Sequence, residues 1–277
     1  MNFIRYEESR PEAVRRMIAC APVAYVPIGA LEWHGEHNPL GLDGLKAYAL
    51  CQAAAEKTGG VLFPPMYWGA CDTVPFPFTL RFGRGVIKGM LWPALKQLKY
   101  MGFKMIVILN GHYPPWLIKR LKKECRAFNR AGGAFAIGAP EQLFALDINY
   151  FGDHAGMWET SIMMALRPEL VDLGLLPGNL SALERMARLG VMGKDPKANA
   201  GAEKGGAAIE HIVGNLAALV ERTLKDMNDS AIEEAYRKYE AAFRILSPKI
   251  KFVIKEALDV HSFRDLVRYG LWTLRNL

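Results

Sequence analysis

Three short segments hold most of the residues whose chemistry goes beyond packing. The first, Glu32-Trp33-His34-Gly35-Glu36-His37, follows an apolar run and is trailed by Asp43. Alternate side chains of an extended segment share a side, so Glu32 and His34 converge while Trp33 points away. Gly35, Pro39 and Gly41 favour a turning loop that brings Asp43 back toward them. Carboxylates with imidazole suit Zn²⁺, Mn²⁺ or Fe²⁺, and a carboxylate can bridge two ions. A polar loop with one capping histidine is the plainer alternative. The second segment, Asn110-Gly111-His112-Tyr113, closes the clearest strand pattern, and Gly111 permits a sharp turn there. The third is Asp153-His154-Ala155-Gly156-Met157-Trp158-Glu159-Thr160-Ser161. Its Glu159 opens a helix expected over 158–166, where an acid is also favoured by the helix dipole. His211 and His261 stand singly in helical segments and read as surface or packing residues.

The elements that must position these groups alternate. An apolar run at 22–28 reads as a buried strand, and a helix over 45–57 is stopped by Gly59-Gly60. A strand at 61–63, a helix over 86–101 and a strand at 105–109 follow. Pro114-Pro115 suits the first turn of a helix to 129, with a further strand at 134–137. This alternation predicts an α/β fold, a layered α/β/α domain with a mainly parallel central sheet. Ligands bind such sheets beyond the carboxyl ends of the strands, which puts His34 and His112 at one edge. The Gly- and Pro-rich stretch 173–206 reads as an irregular excursion. From 207 the pattern is helical, with Ile209, Ile212, Leu216, Leu219 and Val220 on one face and a break near Ser247-Pro248. The expected organisation is a domain over 1–225 and a helical C-terminal extension over 226–277.

Of the 277 residues, 51% are hydrophobic and 23% charged, which excludes disordered and collagen-like classes. The net charge of +7 is concentrated in 81–130, with twelve Lys and Arg against one acid, Glu124. Those charges interrupt helical apolar patterns, as solvated faces do, and no nucleic-acid motif accompanies them. The four cysteines lie far apart without Cys-x-x-Cys spacing, as expected of reduced thiols. Residues 1–16 mix charges of both signs and lack the apolar core of a signal peptide. No uncharged apolar run reaches about 18 residues, so no membrane span is expected. The expectation is a cytoplasmic enzyme without nucleic-acid or membrane partners.

Together, the segments 28–37, Leu40-Gly41-Leu42-Asp43, Asn110-Gly111-His112 and 154–161 resemble the signature of the creatininase (creatinine amidohydrolase) family. The likeness spans roughly 20–225. It implies hydrolysis of non-peptide or unusual amide C–N bonds. Members include creatininase, formamide-cleaving deformylases of flavin-type cofactor biosynthesis, and a peptidase maturing a peptide-derived redox cofactor. By motif position it implies Glu32, His34, Asp43 and His112 as metal ligands, Asp43 as the bridge, and His154 as a catalytic histidine. A homo-oligomer is also implied. Two departures stand out. Creatininases proper place a metal-binding glutamate where this chain has Pro114, so a second metal must use another carboxylate, for which Glu159 is the candidate. A single-metal site is the alternative. At 71–79 the chain carries Asp72, Thr73 and Phe76-Pro77-Phe78-Thr79 in place of the family's usual pattern. Both departures argue against creatinine itself as substrate.

The expected function is a metal-dependent amidohydrolase. One or two divalent ions (Zn, Mn or Fe) activate water against a small cyclic amide or formamide-like substrate. His154 passes the proton to the leaving nitrogen, with Glu159 as a second catalytic group. Tyr113, Trp68 and Trp158 are the expected substrate-lining aromatics, with pocket shape set by Trp68, 76–82 and 173–206. One alternative is a deformylase or cofactor-pathway amidase on an anionic substrate, motivated by the basic stretch. The other is a non-catalytic metal-binding subunit, against which retention of His154 argues.

Overall fold

The computed structural model describes residues 2–244, 254–255 and 257–276. Strands β1 (Phe3–Arg5), β2 (Val23–Ile28), β3 (Gly60–Leu62), β4 (Met105–Asn110) and β5 (Phe135–Pro140) form one sheet. Every pairing is parallel, and the order is β1-β3-β2-β4-β5. The helices are α1 (Pro11–Cys20), α2 (Leu42–Thr58), α3 (Gly85–Met101), α4 (Pro115–Arg130), α5 (Met157–Leu166), α6 (Ala182–Leu189), α7 (Pro196–Asn199), α8 (Ala202–Asp226), α9 (Ser230–Ala242) and α10 (Phe263–Asn276).

Strands β2 and β4 are buried along their whole length, as their unbroken apolar runs require when helices cover both faces. Alternate residues feed two cores. Val23, Tyr25, Met105, Val107 and Ile137 pack with Leu50 and Ala54 of α2, Ile162 of α5, Ile212 and Leu216 of α8 and Ile232 and Tyr236 of α9. Ala24, Val26, Ile106, Ile108 and Ala136 face the other way, onto Ile87, Leu91 and Leu95 of α3 and Leu117 and Leu121 of α4. The layered α/β/α arrangement is therefore present. After β2 the chain adds β3 on one side, then returns past β2 to add β4 on the other. The topological switch point thus lies between the carboxyl ends of β2 and β4.

Two expectations need correction. The stretch 173–206 is not irregular throughout: α6 and α7 lie within it, and α8 begins at Ala202 rather than 207. The start of α6 is held by a reciprocal capping box, Ser181 with Glu184, and its end by Gly190 in the left-handed region. Eight residues bearing two arginines give too short a period to stand out among glycines and prolines. The chain ahead of β2 also supplies β1 and α1, three residues of sheet edge and a helix with no fully buried side chain. Beyond 226, α9 belongs to the main core through Ile232 and Tyr236. Tyr269 of α10 packs with Val260 and Met186 in a satellite cluster. The break expected at Ser247-Pro248 lies outside the described residues. Among the described residues no helix is long and apolar enough to cross a membrane.

Candidate metal centre at the sheet's switch point

Loops after β2 and β4 and the starts of α2 and α5 converge at this crevice. Their approach depends on missing side chains. A Cβ on Gly111 would lie 2.2 Å from the Asp43 carbonyl oxygen, and one on Gly29 2.5 Å from the Gly44 nitrogen. Glycine at the ends of β2 and β4 therefore lets the first turn of α2 sit directly against the sheet. Asp43 is carried into the crevice by that turn, and its Oδ2 accepts the Ala30 N–H at 3.2 Å.

Glu32, His34, Asp43, His112 and Glu159 all meet there, each at most 6% exposed. His112 Nδ1 lies 3.0 Å from Glu32 Oε2 and 3.4 Å from Asp43 Oδ2. His34 Nε2 lies 3.1 Å from Asp43 Oδ1 and 3.6 Å from Glu159 Oε2. Two groups result, Glu32–Asp43–His112 and His34–Asp43–Glu159, each with ligand atoms within 4.8 Å of one another and Asp43 common to both. A third such set joins His154 to Glu32 and His34.

The imidazoles are oriented from behind. His34 Nδ1 is 2.9 Å from the Glu32 carbonyl, and His112 Nε2 is 3.0 Å from that of Cys71. A carbonyl accepts, so these nitrogens carry the hydrogens and the opposite ones are bare. Both bare nitrogens therefore aim lone pairs at carboxylate oxygens. His34 Nε2 and Glu32 Oε2 make no hydrogen bond although fully buried. Acceptor facing acceptor in a dry site demands a cation between them. Protons would meet that demand: against the cost of burial, Asp43 and Glu159 push the His34 pKa up to about 9, and Glu32 and Asp43 hold His112 well above the usual histidine value. A divalent ion meets it equally, since buried imidazole with carboxylate oxygens is a donor set for Zn²⁺ or Mn²⁺.

His154 differs. Burial and neighbouring His34 lower its pKa, and the two rings stand 4.3 Å apart between centroids. Its Nε2 donates to the Trp33 carbonyl at 2.8 Å, which leaves Nδ1 free to take a proton. Behind it, His37 Nε2 contacts the Ala155 carbonyl at 3.1 Å, bracing the loop before α5. Asp153 caps that helix by accepting from the Trp158 and Glu159 amides. His211 and His261 lie outside this site, paired with Asp147 and Asp259.

A cavity of about 1020 Å³ takes in the centre, with Glu32, Asp43, His112, His154 and Glu159 in its lining together with the rings of Tyr236, Tyr239 and Phe243. Of the three expected aromatics only Tyr113 lines it, and its hydroxyl is tied to Lys46, Glu141 and Tyr150. Trp68 packs against the α3–α4 core, and Trp158 against Tyr150 and the α5–α8 core. Residues 76–82 do not line it either: Phe76 stacks on Trp33, while Phe78, Leu80 and Phe82 are exposed. Trp116, at the start of α4, takes the lining place, with Arg84 stacked on its ring.

Sequence reasoning passed over Lys46 and Glu141, both fully buried beside Glu159. Lys46 had a signal. It is a lone cation one turn beyond Asp43, on a helix face otherwise filled by Ala47, Leu50, Cys51 and Ala54. Glu141 had none, as its burial comes from distant elements.

Fold and site define a doubly wound α/β protein with a carboxylate–imidazole centre at its switch point. The family model for creatinine amidohydrolase matches residues 7–220. A creatinine amidohydrolase of Pseudomonas putida is 28% identical over 184 residues, 57% of this chain and 69% of that protein. A mycofactocin precursor peptide peptidase of Mycolicibacterium smegmatis is 27% identical over 235 residues, 77% of this chain and 90% of that protein. A creatininase crystal structure superposes with a TM-score of 0.68 at 23% identity, over 79% of this chain and 97% of its own. A zinc–zinc form of a creatininase variant reaches 0.64 at 24%, and a manganese form 0.63 at 24%, each over 79% of this chain and 97% and 98% of their own. The chain belongs to the creatininase family. It is an amidohydrolase, a hydrolase of C–N bonds.

Proposed function

We propose that this chain is a metal-dependent amidohydrolase with two ion positions. Glu32, Asp43 and His112 hold one and His34, Asp43 and Glu159 the other, with Asp43 shared. The observation that carries the reading is the pair of imidazoles, each fixed by a backbone carbonyl on one nitrogen and presenting the other, bare, to buried carboxylates. That is how ligating histidines are oriented in metal sites. Glu159 supplies the carboxylate that Pro114 cannot. The zinc–zinc and manganese forms of related structures support the same choice of ions.

Divalent ions held here would lower the pKa of water and polarise an amide carbonyl. The chain's own groups do the rest. His154, neutral and with Nδ1 free, takes a proton from attacking water and delivers it to the nitrogen that departs. The burial of these groups strengthens their electrostatic action over that of the same charges in water.

The cavity favours a substrate larger than creatinine. Its volume of about 1020 Å³ lies at the top of the range for small-ligand pockets, and the rings of Trp116, Tyr236, Tyr239 and Phe243 are among its lining. An extended amide, of the size cleaved from a peptide end, is the second reading, and the peptidase relatives point the same way. The anionic-substrate alternative keeps one basic group: Arg84 and Lys122 line the cavity and are matched by Asp72 and Glu240, while Lys119, also at its wall, has no ion pair among the described residues.

Metal analysis after loading with Zn²⁺ or Mn²⁺, followed by turnover of lactams, formamides, ureides and short peptides, tests both readings. Two bound ions and metal-dependent release of amine from any member are expected. A protein that takes up no ion overturns the metal reading, and one that cleaves only the smallest amides overturns the extended substrate.

A further inference from the structure

Lys46 lies on α2 one turn after Asp43, so both side chains leave the same helix face. Its ammonium is fully buried, a costly placement unless every donor is used and the charge is answered. Nζ lies 2.7 Å from Glu159 Oε1 and 2.7 Å from Glu141 Oε1, and also bonds the Tyr113 hydroxyl. Tyr113 and Tyr150 both donate to Glu141 Oε1, which holds the far end of the network.

The two oxygens of Glu159 are thereby made unequal. Oε1 is taken by Lys46. Oε2 accepts the Ala155 N–H at 2.8 Å and faces His34 Nε2 at 3.6 Å. Ala155 donates from the left-handed region, φ 55, a conformation that a non-glycine residue keeps only when its surroundings enforce it. Glu159 is also the only carboxylate that belongs to the His34 group and not to the His112 group. Its orientation therefore decides one ion position without touching the other.

We propose that Lys46, backed by Glu141, is a positioning residue that fixes Glu159 as a one-oxygen ligand for the second metal position. The proposal rests on the two-position reading above. Charge and pinning pull in opposite directions, which makes it testable. A cation beside a divalent ion repels it, so a lysine acting through charge alone would weaken the second ion, and its removal would tighten it. Pinning predicts the reverse.

Manganese titration by calorimetry and electron paramagnetic resonance should compare the full chain with Lys46→Met and with Lys46→Met/Glu141→Gln. The double variant removes the buried cation together with its backing carboxylate, so it remains informative if the single variant fails to fold. Unsubstituted protein is expected to bind two Mn²⁺ and give a spin-coupled spectrum. In both variants the first ion should bind as before, while the second dissociation constant rises about ten- to hundredfold, as when an outer partner of a ligand is lost. The spectrum at one equivalent beyond the first should then be that of isolated ions. A second ion bound with unchanged or greater affinity overturns the proposal, as does an equal loss at both positions. If the unsubstituted chain binds no Mn²⁺ or Zn²⁺, the functional reading itself fails, and the proposal with it.

Discussion

Two clusters of opposite charges in this molecule differ in what surrounds them. Between α4 and α9, Arg126 meets Glu233 at 2.7 Å and Glu240 at 3.3 Å, while Lys122 meets Glu240. These side chains are 22–33% exposed, and every charge has a partner. At the switch point, Glu32, His34, Asp43, His112 and Glu159 are buried, yet His34 Nε2 and Glu32 Oε2 make no hydrogen bond, although they face Asp43 and His112 at 3.1 and 3.0 Å. A paired, half-exposed cluster joins two elements and contributes little. A buried cluster with acceptors turned on one another is unstable as it stands and persists where another species completes it. Two of the twelve basic residues of the prominent stretch, Lys122 and Arg126, thus form an interhelical latch, while His34, His112 and His154 gather at the switch point.

The sharpest way to break that contrast is Asp43→Ala, which removes the shared carboxylate. Both ions should be lost, and turnover should fall by roughly a thousandfold or more. Metal content and amidase rate measured on the same preparation check this, and an Asp43→Ala protein retaining two ions would sink the shared-ligand assignment. Gly111→Ala comes next. Its Cβ would sit 2.2 Å from the Asp43 oxygen, so α2 must move, at a cost of about 1–3 kcal/mol. Calorimetry should show a lower Tm together with weaker metal binding; a change in Tm alone would mean that the close approach positions nothing.

Chelation should act on the switch-point cluster alone. Ions present at a hundredfold excess over their dissociation constant stabilise by about 2.7 kcal/mol, so the Tm should fall on their removal and recover on reloading. The smallest effect belongs to the latch. Arg126→Ala should cost no more than about 1 kcal/mol and leave kcat/KM unchanged. Lys122 and Arg126 lower the Glu240 pKa, so the latch's contribution is present above the ordinary carboxylate value and fades as pH falls through the lower, folded one. A parallel loss of activity in Arg126→Ala would show the two clusters to be coupled.

Much of the centre was legible because its signals are local. Glu32 and His34 share a side of one extended segment, His112 ends an unmistakable strand, and Glu159 opens a helix. The folding back of Asp43 could be anticipated from Gly35, Pro39 and Gly41, but its fit depends on Gly29 and Gly111 lacking a Cβ, a contact between loops some 70 residues apart. The aromatics were harder. Trp68 and Trp158 look like substrate-facing residues beside a motif, yet both turn into cores. Which way a large ring faces depends on the helices packed across from it, and spacing carries no record of those.

The sequence by itself determined the alternation of strands and helices and the carboxyl-end placement of His34 and His112, which follow from periodicity and short-range geometry. The set of groups able to hold an ion came from the resemblance of the motifs, taken together, to one family. Tertiary structure alone decided that Lys46 and Glu141 close around Glu159 and that Tyr236 and Tyr239 of α9 line the cavity. The reason is physical: burial, pairing and the approach of one backbone to another belong to elements distant along the chain, and exist only once the sheet and its helices are assembled.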